Sequence, residues 1–114
     1  MLTDLTFLEQ FAAGDKVKMA KYITIFLKSA PMQMAAMENH IAENNLAGLR
    51  TAAHSLKPQL GYMGIKALED LARIIEHHAA EGVAVENLPS QVAEFKATLT
   101  TAIAELQTKL QELI

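Results

Sequence analysis

His54 is the side chain best placed to do chemistry, because two basic residues flank it at helical spacing. Arg50 stands four residues before it and Lys57 three residues after it. Residues three and four apart share one face of a helix, so both cations would meet an anion that approaches the imidazole. With the ordinary histidine pKa of about 6.5, an exposed ring is largely neutral in the cytosol and has a nucleophilic nitrogen. The spacing predicts a reactive histidine that handles an anionic group.

The helix predicted around His54 has an unusual exposed face. Four apolar residues share one side of an ideal helical wheel, and His54 points almost directly away from them. These residues are Leu49, Leu56, Leu60 and Met63. Pro58 and Gly61 lie near His54, where long charged side chains are usual, so another protein can approach the ring closely. Because an interior proline or glycine costs a helix about 3 or 1 kcal/mol, this pattern indicates function rather than a histidine that decorates a surface.

Composition narrows the classes of function. The chain has 114 residues, of which 51% are hydrophobic, and we expect residues 1–114 to form one domain with one core. There is no cysteine, which excludes disulfides, thiol chemistry and cysteine-based zinc sites. The net charge of −3 argues against nucleic acid as a partner.

The sequence predicts neither a signal peptide nor a membrane span. The N-terminus has no basic segment leading into an apolar run. The longest largely apolar stretch, around Tyr22 to Leu27, is far shorter than the ~20 residues that cross a bilayer. We therefore expect a cytoplasmic protein with no membrane partner.

Apolar spacing predicts a helix in almost every part of the chain. The first helix is expected from about Thr3, and Gly14 and Asp15 end it and cap the second. The second covers Lys16 to Glu43, where Pro31 should kink the helix or split it in two.

Three more helices follow a break at Asn44 and Asn45. The third covers about Leu46 to Met63, the fourth runs from Lys66 to about Glu81, and the last begins near Pro89 and runs to about Leu113. Short connections favour antiparallel neighbours. The predicted fold is all-α, an antiparallel four-helix bundle with a short extra N-terminal helix. The initiating methionine and the complete bundle favour a free-standing protein over a domain of a longer kinase.

Two sets of apolar residues are assigned to the core. In the fourth helix they are Leu68, Leu71, Ile74 and Ile75. Beside Pro31 they are Met32, Met34 and Met37. A soft-metal or binding face is the alternative for the methionines, but helical core packing explains them more simply.

The residues around His54 resemble a known signature. The run from Ala53 to Gly64, AHSLKPQLGYMG, looks like that of histidine-containing phosphotransfer (HPt) domains. That signature is a histidine, an apolar residue two positions on, lysine three on, usually glycine four on, and glycine about ten on. The matching residues are His54, Leu56, Lys57 and Gly64. Helix order and length extend the resemblance over essentially the whole chain, while Pro58 departs from it.

This resemblance implies a place in a two-component phosphorelay. Members accept a phosphoryl group on the histidine from a receiver-domain aspartate and pass it to another receiver, so His54 is the expected phosphoacceptor. Lys57 would neutralise phosphate charge, and Arg50 would add a longer-range contribution. The expected partners are receiver domains of response regulators or hybrid sensor kinases. The required metal belongs to the receiver, so we expect no cofactor and no metal site here, and we expect a monomer.

The family also places Gln or Glu about 22 residues after the histidine, where it holds the other ring nitrogen. Glu76 occupies that position. Its carboxylate would accept the Nδ1 proton and leave Nε2 as the nucleophile. The helical wheel places Glu76 well away from the core stripe of its helix, so a solvated carboxylate, paired with Arg73, is the alternative.

The remaining histidines offer weaker sites. His77 and His78 are adjacent and face different directions, so they cannot chelate one metal ion as an i, i+4 pair would. His78 is expected at the edge of the core and His77 in solvent. His40 lies near a helix C-terminus, where a partly charged ring is mildly favourable.

Two functional classes remain. No nucleotide-binding glycine loop, serine elbow or pair of catalytic carboxylates is present, so we expect a phosphoryl carrier with no kinase or ATPase activity of its own. The alternative is a binding-only HPt-like module that docks receivers without phosphotransfer. The intact pair of His54 and Lys57 favours the carrier, whereas Pro58 favours the binding module.

Overall fold

The recurrence of apolar residues at three- and four-residue spacing produces an all-helical chain. The computed structural model describes all 114 residues and contains no strand. Its helices are α1 (Thr6–Phe11), α2 (Lys16–Ala42), α3 (Leu46–Tyr62), α4 (Lys66–Glu81) and α5 (Leu88–Leu113). A single 3₁₀ turn, Val85–Asn87, precedes α5. Pro89 stands in the first turn of α5, as predicted.

Helices α2 to α5 form an antiparallel four-helix bundle, which confirms the predicted fold class. α3 packs against α2 and α4, and α5 packs against the same two helices. The short connections 43–45 and 63–65 make successive helices antiparallel neighbours. Helix α1 is the short extra N-terminal helix, and its Leu8 is fully buried.

The interior is a cluster of 25 buried residues, none of them polar or charged. The largest fully buried side chains include Phe26, Phe95, Ile23, Met37 and Leu56. Burial of each such side chain contributes roughly 1.5–3 kcal/mol, so the core holds the helices in a fixed register. None of the five helices has both the length and the apolar content that a membrane span requires.

Helix α1 begins at Thr6, so the predicted start near Thr3 is wrong. The main-chain N–H groups of Leu2 and Thr3 donate to the carboxylate of Glu105 at 3.0 and 3.1 Å. These N–H groups are bound to α5, and the segment before α1 is therefore not helical. The hydrogen bond from Leu2 is the main reason that the pKa of Glu105 lies below its ordinary value.

Helix α2 runs unbroken through Pro31, so the alternative of two separate helices is wrong. Residues on both sides of the proline belong to one buried stripe. That stripe consists of Met19, Ile23, Phe26, Ala30, Met34 and Met37. Its burial outweighs the ~3 kcal/mol that an interior proline costs a helix.

Two residues assigned to the core are exposed instead. Ile74 is 44% exposed and Met32 is 73% exposed. The buried stripe of α4 consists of Leu68, Ala72, Ile75 and Ala79. Ile74 lies about 100° around the helix from Ile75, which carries its side chain outside that stripe. Met34 and Met37 are buried, as predicted.

The connection between α3 and α4 is tight because Asp4 lies directly against Gly64. The N–H of Asp4 donates to the carbonyl of Met63 at 3.3 Å. A Cβ on Gly64 would overlap the main chain of Asp4, and the φ angle of Gly64 is +63°. Glycine alone has no Cβ and adopts this positive φ angle without strain. Gly64 therefore lets the N-terminal segment pack on the turn that sets α4 beside α3.

Candidate functional site

Helix α3 presents His54 on its outer face because apolar residues occupy the inner one. The side chain of Asn45 starts the helix by accepting the N–H of Gly48 at 2.9 Å. The buried residues of α3 are Leu49, Ala52, Ala53, Leu56 and Leu60. His54 lies away from this stripe, and 72% of its side chain is exposed.

A carboxylate from the neighbouring helix holds the Nδ1 atom of His54. Nδ1 lies 2.7 Å from Oε2 of Glu76 on α4. An ionised carboxylate only accepts hydrogen bonds, so Nδ1 carries the proton and donates it. In the neutral ring the lone pair is then on Nε2. This nitrogen makes no hydrogen bond within the chain and is free to attack an electrophile.

The second oxygen of Glu76 holds Lys57. The Nζ atom of Lys57 donates to Oε1 at 2.7 Å. This hydrogen bond, followed by that of His54, lowers the pKa of Glu76 from its ordinary value of 4.5, against the opposing effect of burial. Glu76 is therefore an anion at neutral pH. Its carboxylate ties an imidazole and an ammonium group together across the contact between α3 and α4.

Glu76 reaches α3 because it stands next to the buried stripe of α4. Ile75 is fully buried, and α3 and α4 pack against each other. A long side chain beside this contact extends over it, and only 17% of the Glu76 side chain remains exposed. The contact with His54 depends on how the two helices pack, which a wheel of α4 alone does not contain.

Arg50 and Arg73 do not join this cluster. Arg50 is exposed on α3, one turn before His54, and makes no hydrogen bond or ion pair with another side chain. Arg73 pairs with Asp70 at 3.1 Å rather than with Glu76. The structure thus brings together three of the four predicted site residues and leaves Arg50 as a nearby unpaired charge.

The two small residues after His54 have different surroundings. Pro58 is exposed one turn after His54, and α3 continues through it to Tyr62. A Cβ on Gly61 would lie 3.2 Å from Oε1 of Glu69 on α4. A small movement of the flexible Glu69 side chain would make room for that atom, so packing alone does not require glycine at position 61.

Phe7, Phe11 and Tyr62 form an exposed aromatic patch with the half-buried Tyr22, and helical spacing did not predict this patch. The ring of Tyr62 lies 5.3 Å from that of Phe7 and 5.7 Å from that of Phe11. Tyr22 lies 5.5 Å from Phe11. Tyr62 follows His54 by eight positions, and this i, i+4, i+8 register is the signal that could have located it.

The other three histidines have no carboxylate partner. His77 is exposed, and Nδ1 of the half-buried His78 lies 3.2 Å from Oε1 of Gln91. The ring of His40 packs against Gly48, and its buried Nδ1 has no hydrogen-bond partner in the chain. Only His54 combines exposure with an ionised partner.

Comparison with known proteins finds a matching family and a similar crystal structure. The family model described as the Hpt domain matches residues 21–113. The fold is similar to a crystal structure of histidine-containing phosphotransfer protein B (HptB) from Pseudomonas aeruginosa PAO1, with a TM-score of 0.89. The two chains are 15% identical, and the match covers 97% of this chain and 96% of the other. No curated protein matches the sequence.

Proposed function

The chain belongs to the Hpt domain family, and on this premise we propose that it carries a phosphoryl group on His54 in a two-component phosphorelay. Hpt proteins are phosphoryl carriers that work with receiver domains of response regulators. The observation that carries the proposal is the contact between Nδ1 of His54 and Glu76, since it leaves Nε2 of an exposed ring available for attack.

The proposed transfer step uses the groups that surround His54. The lone pair of Nε2 attacks the phosphorus of a receiver's aspartyl phosphate. The N–P bond forms as the P–O bond to the aspartate breaks, and the carboxylate leaves with that electron pair. The ammonium group of Lys57 neutralises negative charge on the phosphoryl oxygens, and Arg50 adds a longer-range contribution. A second receiver's aspartate then takes the group from His54 in the reverse sense.

The proposed partners are receiver domains of response regulators or hybrid sensor kinases. The partner would lie on the exposed face of α3 and on the neighbouring part of α1. Phe7, Phe11 and Tyr62 are 49%, 45% and 40% exposed there, and apolar side chains of this kind contribute strongly to protein interfaces. Their nearness to Pro58 supports one continuous docking surface beside His54.

We further propose that residues 1–114 act as one domain and as a monomeric cytoplasmic carrier. The family match and the structural match both extend over most of the chain, which supports one domain. No kinase or ATPase activity is expected from the chain itself, since the phosphoryl group arrives on the receiver.

A binding-only module is the second candidate, and Pro58 is the observation that favours it. Proline removes the N–H that would otherwise bind the carbonyl of His54, and it replaces the glycine usual in the signature. In that case receivers dock on α3 without transferring phosphate.

Phosphotransfer from a labelled receiver separates the two candidates. Purified protein is incubated with a phosphorylated receiver domain, alongside His54→Gln and the matched control His77→Gln. We expect acid-labile, alkali-stable label on the wild type and on His77→Gln, and none on His54→Gln. Docking of several receivers without label would contradict the carrier function and support the binding module.

A further inference from the structure

Glu76 differs from a simple hydrogen-bond acceptor because its charge is shared between two groups. One oxygen accepts the Nδ1 proton of His54 and the other accepts a proton of Lys57, both at 2.7 Å. A neutral amide in the same place would make a hydrogen bond to the ring without supplying negative charge. The structure therefore allows a role for the charge that is separate from the role of the hydrogen bond.

Resting on the function proposed above, we infer that the negative charge of Glu76 keeps the Nδ1 proton on His54 after Nε2 is phosphorylated, and so holds the phosphohistidine in its readily transferred form. Glu76 would thus act as a positioning residue for the proton as well as for the ring. Its effect would fall on the second transfer, from His54 to a receiver, more than on the first.

The charge balance of the two steps explains why this proton matters. When Nε2 takes the phosphoryl group, the ring keeps its Nδ1 proton and becomes a cation, which the carboxylate stabilises at hydrogen-bond distance. When the N–P bond breaks, its electron pair returns to Nε2 and the ring leaves as neutral imidazole. If Nδ1 had lost its proton, the leaving group would be an imidazolate anion, which is a much poorer one.

Few other charges face the ring. From its own helix, Lys57 and Arg50 are cations, and both oppose a positive charge on the imidazole. On α4, His77 is exposed next to Glu76, and Arg73 is paired with Asp70.

From α2, Ser29 donates to Gln59 on this part of α3 at 2.6 Å, and both of these side chains are uncharged. Glu76 is therefore the anion that holds a proton on Nδ1 against two neighbouring cations.

A glutamine at position 76 would act differently in the phosphorylated state. Its carbonyl oxygen can still accept the Nδ1 proton of the free ring. After phosphorylation, however, the amide can turn and donate its N–H to an unprotonated Nδ1, which stabilises the slow form. Glu76→Gln should therefore release phosphate slowly above the pH at which its phosphorylated ring loses the proton.

The test measures onward transfer as a function of pH. Wild type, Glu76→Gln, Glu76→Asp and Asp70→Asn are loaded with phosphoramidate, a small N-phosphoryl donor, and freed of excess reagent. Each is mixed with one receiver domain between about pH 5.5 and 8.5, and its transfer rate is divided by that of the wild type, which removes the receiver's own pH dependence.

We expect the rate ratio for Glu76→Gln to be highest at low pH and to fall about tenfold per pH unit at higher pH, because one proton controls the leaving group. Glu76→Asp keeps the charge, so its ratio should be lower than one but independent of pH. Asp70→Asn, which removes another carboxylate of α4, should match the wild type throughout.

The outcomes separate this inference from the proposed function. A Glu76→Gln ratio that is low but constant across pH would show that only the geometry of the hydrogen bond matters, and would overturn the inference while the carrier function stands. Failure of the wild type to take label either from phosphoramidate or from a phosphorylated receiver would overturn both.

Discussion

Two histidines on neighbouring helices, His40 on α2 and His54 on α3, lie in opposite surroundings. His54 is 72% exposed, and an ionised carboxylate holds its Nδ1 atom. His40 is half-buried, its ring packs against Gly48, and its Nδ1 is enclosed without a hydrogen-bond partner in the chain. The same side chain is thus exposed beside a charged group in one region and fills space between helices in the other. Exposure together with a charged partner distinguishes the two.

The region around His40 has a structural task that supports the other region. Asn45 caps the start of α3, and the adjacent Gly48 leaves the room that the ring of His40 occupies. This arrangement positions the first turn of the helix that carries His54 two turns later. The comparison indicates that changes near His40 should alter stability, whereas changes near His54 should alter transfer.

The largest effect is expected when Lys57 loses its charge. We expect Lys57→Gln to slow phosphoryl transfer by about 100-fold, because removal of one positioned donor from a developing negative charge costs roughly 10²- to 10³-fold in comparable sites. The free energy of unfolding should fall by no more than about 1 kcal/mol, since the pair with Glu76 lies at the partly open edge of the contact between α3 and α4. Stopped-flow transfer from a phosphorylated receiver measures the rate.

Lys66→Gln is the matched control for this variant. Lys66 also pairs with a carboxylate, Asp70 at 3.0 Å, but lies away from His54 at the start of α4. Its transfer rate should equal that of the wild type. Equal transfer rates for Lys57→Gln and Lys66→Gln would show that Lys57 does not contribute to phosphoryl transfer.

A smaller effect, on stability alone, is expected in the region around His40. A Cβ on Gly48 would overlap the His40 ring, so Gly48→Ala should lower the free energy of unfolding by about 1 kcal/mol. In a His40→Ala background the loss should be smaller, because the ring is then absent and alanine favours the helix, while the side chain of Asn45 still lies 2.8 Å from the new Cβ. Urea unfolding of the wild type, the two single variants and the double variant gives the coupling energy between positions 40 and 48.

The transfer rate provides the second readout of this double-mutant cycle. It should stay near that of the wild type in all four proteins, because none of the changes touches His54, Lys57 or Glu76. Additive stability changes would show that His40 does not occupy the space left by Gly48. A large loss of transfer without a loss of stability would mean that the two regions are not separate.

The smallest effect is the acid dependence of the Glu76 contacts. The folded-state pKa of Glu76 lies below 4.5, so the stabilisation is fully present above that pH and is lost as the pH falls through the lowered value. Ion pairs that remain partly open to solvent contribute roughly 0–1 kcal/mol, so the stability difference between wild type and Glu76→Gln should be of this size at neutral pH and vanish in acid. Urea unfolding across this range measures it, and a difference that does not change with pH would contradict the contact.

Much of the fold followed from local pattern, and the exceptions have long-range causes. The five helices and the exposure of His54 could be predicted because they depend on spacing within one segment. The start of α1 could not, since the N–H groups of Leu2 and Thr3 bind Glu105 about a hundred positions away. The continuity of α2 through Pro31 likewise depends on tertiary burial of its stripe rather than on helix propensity.

The residues of the candidate site likewise fall into those that local spacing could place and those that depend on helix packing. Lys57 could be placed beside His54 from helical spacing alone, because both lie on α3. The contact of Glu76 with His54 needed the family resemblance as a guide, since the wheel of α4 favours a solvated carboxylate. The aromatic patch was missed because its residues come from three helices, and only their packing brings the rings of Phe11, Tyr22 and Tyr62 together.

The most direct test of the central claim is to locate the phosphoryl group on the ring. Protein labelled with ¹⁵N in its histidines is phosphorylated by a receiver, and NMR coupling between phosphorus and the ring nitrogens identifies the bonded atom. We predict phosphate on Nε2 of His54, a proton on Nδ1, and unmodified His40, His77 and His78. Phosphate on Nδ1 of His54, or on any other histidine, would contradict the role of Glu76 in reserving Nε2 for attack.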